Sequence, residues 1–219
     1  MFDPPLDPVA VRVLGSLIEK ESTTPDNYPM TVNALVGACN QTTNREPVMT
    51  VDENDVMTAL RELNRRGLVN EVYRSDSRAK RYRHVLSDKL SLHQPETALL
   101  CVLLLRGPQT TGEIRTRAAR MFEFIDLKHV EVTLDALATL ATPLVIQMPR
   151  QPGQKEVRYA HLMGGEPQMP VVEADTRARA PAPVPAADDR VTALEQSVAS
   201  LRAELGQLRD AFEEFRRQF

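Results

Sequence analysis

Apolar residues between Pro8 and Lys20 fall at Val9, Val13, Leu17 and Ile18, a helical spacing. A second helix is predicted to start near Thr31, with Val32, Leu35 and Val36 turned inward. A third lies in DENDVMTALRELNRRG, where Asp52 is the N-cap, Asp55 follows three residues on and Gly67 is the stop. Residues 68–74 and 81–86 then alternate as two short strands around the turn-rich SDSRAK.

The order recurs further on. Helices are predicted over 94–106, 111–121 and 126–141, and strands over 144–148 and 157–162. Val56, Leu60 and Leu63 match Val130, Leu134 and Leu137, and Leu68-Val69 matches Leu144-Val145. RYRH (81–84) matches RYAH (158–161). One unit therefore occurs twice, in residues 1–88 and 89–163. Three helices followed by a hairpin make a winged helix. The fold class expected is mainly α (α+β), with two tandem winged-helix domains and a C-terminal coiled-coil helix.

Residues 164–189 hold five prolines and no periodic apolar face, so they read as a flexible Pro/Ala-rich linker. From residue 190 the pattern becomes strict. Val191, Leu194, Val198, Leu201, Leu205 and Leu208, then Phe212, Phe215 and Phe219, are spaced alternately by three and four. β-Branched residues at a with leucine at d favour a parallel dimer. These positions are the expected dimerisation residues, and a homodimer through this helix is the expected assembly. Gly206 at a b position weakens the helix by about 1 kcal/mol.

The block LGSLIEKESTTPDNYPMTVNALVGACNQTTNREPVM (14–49) strongly resembles the signature of the YceH-like family of uncharacterised bacterial proteins. The resemblance covers roughly residues 3–163. It implies tandem winged helices, in agreement with the repeat, and brings no biochemical activity with it.

Charge narrows the function. The 219 residues carry a net charge of −3, which excludes a basic coat over the whole chain. Between residues 61 and 83, however, Arg61, Arg65, Arg66, Arg74, Arg78, Lys80, Arg81 and Arg83 face only Glu62, Glu71 and Asp76. Arginines on a wing reach phosphates and supply salt-dependent affinity. The third helix argues the other way, because it opens with DENDV, whose acids suit the helix dipole but repel a DNA backbone. The loop NQTTNREPVM (40–49) offers Asn44 and Arg45 as further hydrogen-bonding groups, although an Asx-turn-rich, self-capped loop explains it slightly better. The candidate nucleic-acid ligands are thus Arg74, Arg78, Lys80, Arg81, Arg45 and Asn44.

Catalytic chemistry is not legible. The nine glycines are scattered, without a phosphate loop. His84 and His161 occupy equivalent strand positions, which points to a shared structural role. Cys39 and Cys101 lie in apolar helical runs without ligand spacing and read as buried structural thiols. Neither a signal peptide nor a membrane-spanning run is read, so the protein is expected in the cytoplasm. The expectation is a non-enzymatic, cofactor-free, transcription-regulator-like protein that grips double-stranded DNA through its first wing. The alternative is an adaptor whose winged helices bind a protein partner.

Overall fold

The computed structural model describes residues 2–73, 79–150, 156–167 and 206. Residues 1–169 form one compact unit. Among the described residues the fold is mainly helical, with two small antiparallel sheets.

The first copy contains α1 (Pro8–Thr23), a 3-10 turn (Pro25–Asn27), α2 (Val32–Cys39), α3 (Glu53–Arg65), β1 (Val69–Val72) and β2 (Arg81–His84). A short α4 (Leu86–Leu90) leads to the second copy: α5 (Gln94–Arg106), α6 (Thr111–Ala118), α7 (Leu127–Ala138), β3 (Val145–Met148) and β4 (Arg158–His161). Local signals fix most boundaries. Asp7, Thr31, Asp52, Thr110 and Asp126 cap α1, α2, α3, α6 and α7 with side-chain oxygens on backbone N–H groups. Asp52 and Asp55 form a reciprocal capping box. Gly67, at φ +64°, ends α3 in a left-handed conformation that suits glycine. α6 and α7 stop three residues short of the predicted ends. α4 is new: five residues are too few to show a period, and no side chain caps it.

The repeat is exact in its hydrogen bonds. Val69 pairs with His84 as Val145 pairs with His161. In each copy the residue two before the second helix also bridges the hairpin's tyrosine: Met30 to Tyr82, and Gln109 to Tyr159. Leu68 N–H returns to Leu63 C=O and Leu144 N–H to Leu137 C=O.

The two copies do not have separate cores. One apolar cluster runs from Leu6 to Met163. Its centre is the crossing of α1 and α5, and the middle of each helix is buried on all sides, Ala10–Glu19 and Ala98–Leu105. This explains why the α5 sequence is apolar all round: a helix wrapped by protein has no wet face. Gly15 permits the crossing, since a Cβ there would meet Leu105 Cδ2 at 2.9 Å and Leu104 Cβ at 3.1 Å. Cys101 Sγ donates to Gly15 C=O at 3.4 Å across the same contact. Both cysteines are buried and free, as expected.

Candidate nucleic-acid interface

The outward side of α3 is defined by what its inward side buries. Val56, Ala59, Leu60 and Leu63 enter the core. Asn54, Thr58, Arg61 and Arg65 are exposed, and their spacing of four, three and four puts them on one stripe. Arg61 is in no ion pair among the described residues. Arg65 and Arg66 share Glu62, so part of the basic excess is neutralised within the helix. Two of the acids that open α3 are occupied as well. Asp52 Oδ1 accepts from Asp55 N–H at 2.9 Å and Asp55 Oδ2 from Asp52 N–H at 3.0 Å. The positive end of the helix dipole offsets their charge.

The nominated ligands take different places. Arg74 and Arg78 lie outside the described residues, as do Val191, Leu194, Val198, Leu201, Leu205 and Leu208. Lys80 Nζ is 2.9 Å from Glu71 Oε1 and lies 5.9 Å from the centroid of Tyr73, an exposed ring. Tyr73 and Lys80 together hold the Glu71 carboxyl below the usual range. Arg81 Nη1 donates to Pro29 C=O at 2.8 Å, tying the hairpin to the segment before α2. Arg83 approaches Asp88 at 3.6 Å.

Loop 40–49 corrects the sequence reading. Arg45 does not face solvent. Its Nη2 donates to Glu19 Oε2 at 2.6 Å, its Nε to Ala38 C=O at 3.0 Å and its Nη1 to Asn44 C=O at 2.9 Å. A guanidinium so buried and so fully bonded is a structural tie, with nothing left for a phosphate. Asn44, at φ 59°, accepts at its side-chain oxygen from Arg106 Nη2 of the second copy. Glu46 N–H donates to Leu105 C=O at 2.9 Å. The loop is polar because it joins the two copies. Glu19, at 2% exposure, also collects Arg120 at 2.9 Å and Lys20 at 3.2 Å. Burial raises the Glu19 carboxyl, but Arg45 and Lys20 more than offset it and leave it below the usual value.

A family model described as "Protein of unknown function, DUF480" matches residues 6–154. The chain belongs to the DUF480 family. Full-length relatives carry the name UPF0502 protein. One from Geobacter sulfurreducens is 51% identical over 219 residues, covering 98% of each chain. One from Pelobacter propionicus is 49% identical over 216 residues, again 98% of each. A third, from an Azoarcus species, is 44% identical over 98% of this chain and 94% of its own. The YceH-like resemblance is consistent with this membership.

This DUF480 protein presents a different surface on its second copy. The positions matching Glu53, Asn54, Thr58, Arg61 and Arg65 are Leu127, Lys128, Val132, Asp135 and Thr139, all exposed. Ile125, just before α7, is 81% exposed and Val132 54%. The outward side of α7 thus exposes Leu127 and Val132 among polar residues, where that of α3 is polar and basic.

The histidines are structural in part. His84 Nε2 lies 2.7 Å from Glu21 Oε2, and His84 N–H donates to the Tyr28 hydroxyl at 2.8 Å. That contact with His84 holds the Glu21 carboxyl low, and burial raises the Tyr28 phenol. Among the described residues no group of His, Cys, Asp and Glu could hold a metal ion, and no helix is long and apolar enough to cross a membrane.

Arg61 and Arg65 belong to the basic cluster of residues 61–83 and are not among the nominated ligands. Their shared spacing with Asn54 and Thr58 was the available signal. The Glu19–Arg45 tie had none, since its partners are far apart in the chain.

Proposed function

We propose that this protein is a non-enzymatic, cytoplasmic DNA-binding protein of the transcription-regulator type, built from two winged helices. In this reading the first copy meets the duplex, with α3 toward the groove and the hairpin along the backbone. The observation that carries it is the exposed stripe Asn54, Thr58, Arg61 and Arg65. These are the residue types that hydrogen-bond base edges and phosphates. Lys80 and Arg81 add cations on the hairpin, and Arg74 and Arg78 add charge by sequence. The heptad of residues 191–219 is proposed to join two chains, so that two such surfaces act together.

Fluorescence anisotropy with random duplexes at two salt concentrations tests the reading on the full chain. Binding is expected at low salt, weakening with a log–log slope of roughly −0.9 per neutralised phosphate. Arg61→Ala with Arg65→Ala should weaken binding to every duplex at least tenfold. Absence of binding at low salt overturns the reading.

One observation favours a second role, that of a protein adaptor. The apolar outward residues of α7, with Ile125 and Leu127 at its start, suit a protein partner better than a phosphate backbone. A full chain that ignores DNA, and loses a co-purifying protein on Val132→Asp, would support the adaptor alone.

A further inference from the structure

The junction of the two copies holds a half-open pocket of about 250 Å³. Leu6, Val11, Met49 and Leu104 give it apolar walls. Two polar side chains line it as well, Arg12 from α1 and His161 from the end of β4. Arg12 is only 2% exposed. Its Nη1 donates to Cys39 C=O at 3.2 Å and its Nη2 to Pro47 C=O at 2.6 Å. Its Nε is buried and has no partner among the described residues, and the same holds for His161 Nδ1.

Arg12 differs from its neighbour Arg45 in one respect. Arg45, equally buried, has the Glu19 carboxylate at 2.6 Å. Arg12 meets only two neutral carbonyl oxygens, and the nearby Arg45 charge adds repulsion. Glu46 lines the same pocket but is exposed and is in no ion pair with Arg12. A guanidinium stays charged at any pH a protein survives. Buried charges are ordinarily paired, because an unpaired one loses its hydration without return. Holding the loop explains Nη1 and Nη2. It explains neither the unmatched charge nor the orphan Nε.

We propose that this pocket binds a small monocarboxylic acid, its carboxylate at Arg12 and His161 and its apolar body against Leu6, Val11, Met49 and Leu104. The carboxylate supplies the missing counter-charge beside the Arg12 guanidinium, with His161 as the second polar wall. Burial keeps the imidazole neutral, with its pKa lowered to about 4, so Arg12 is the one cation of the lining, and exposed Glu46 leaves it unpaired. Size limits the acid. A cavity of about 150 Å³ holds a benzene ring, so the pocket suits a benzoate-sized or branched short-chain body. The ligand would touch α1 and residues 46–49 of the first copy, and α5 and β4 of the second, and so would report its presence to both. The proposal is independent of the DNA-binding reading.

The test is calorimetric titration of the full chain with acetate, isovalerate, benzoate and phenylacetate, and with benzyl alcohol as an uncharged match. At least one of the three larger acids is expected to saturate, at least tenfold more tightly than both acetate and benzyl alcohol. It should also raise Tm with concentration, as binding to the native state requires. Arg12→Met should abolish the preference for the acid over the alcohol. If Arg12→Met fails to fold, Gly164→Leu decides. A Cβ at Gly164 would lie 3.3 Å from His161 Cε1 and 3.5 Å from Val11 Cγ2, so the larger side chain fills the pocket and leaves Arg12 in place. That variant should lose acid binding at least tenfold. Saturation by none of the acids, equal affinity for the alcohol, or binding unchanged in Gly164→Leu overturns the proposal.

Discussion

Glu19 and His161 show how single side chains set the stability of this fold. Glu19 Oε2 bonds Arg45 and Oε1 bonds Arg120, so one carboxylate of the first copy holds its own loop and the second copy. Removing one partner of a buried pair leaves a bare charge, typically at a cost of about 3–5 kcal/mol. Glu19→Gln is therefore expected to destabilise by several kcal/mol, read from the urea midpoint at pH 7. Because the Glu19 pKa is lowered on folding, its contribution is complete above its ordinary value of 4.5 and is lost as the pH falls below it. His161 titrates in a different window. Its ordinary pKa of 6.5 drops to about 4 on burial, so the unfolded chain takes the proton first. Stability from neutral His161 is complete above 6.5 and falls as the pH drops toward about 4. His161→Gln should flatten the pH dependence of the urea midpoint in that window, whereas Glu19→Gln should flatten it only below. An unchanged profile in His161→Gln would show that the imidazole is not buried neutral. None of this was visible in the sequence, where Arg45 stood in a polar loop and resembled a surface ligand.

At the scale of elements, the caps and stops were legible because they act over three or four residues. Asp52, Asp55 and Gly67 behave as their spacing predicts. The partner of α1 was not legible. Its apolar spacing marks a helix, and the face that packs on α5 emerges only when α5 lies across Gly15. Gly15→Leu places a side chain where Leu104 and Leu105 already are, at under 3.2 Å from the new Cβ. Overpacking of this kind costs about 1–3 kcal/mol. The helix gains about 1 kcal/mol from replacing glycine. A net loss of Tm is expected in a thermal melt, and a rise would mean that the two helices part easily. α4 was missed for a related reason: a five-residue helix without a side-chain cap leaves no period to count.

At the scale of the molecule, the shared core predicts shared folding. Scanning calorimetry of residues 1–169 should show one cooperative transition. A fragment of residues 1–88 should lack a stable native state, since it would expose the flank of α1 that α5 covers. Two separate transitions would restore the picture of independent domains. The tail makes its own prediction. Light scattering should give a dimeric mass for the full chain and a monomeric mass for residues 1–165, because the heptad lies wholly beyond them. Equal monomeric masses would remove the coiled coil from the account.

The sequence by itself determined the order of helices and strands apart from α4, their duplication, the Asp52 cap and Gly67 stop of α3 and the burial of both cysteines. Each of these follows from short-range periodicity or from the hydrophobicity of a run. The tertiary structure decided that the two copies form one body. It also decided that Arg45 points inward and that Arg12 lines a pocket without a counter-charge. Those outcomes depend on pairs such as Arg12 with Pro47, Glu19 with Arg120 and Gly15 with Leu105. Such pairs are many residues apart, and no pattern along the chain encodes which of them will meet.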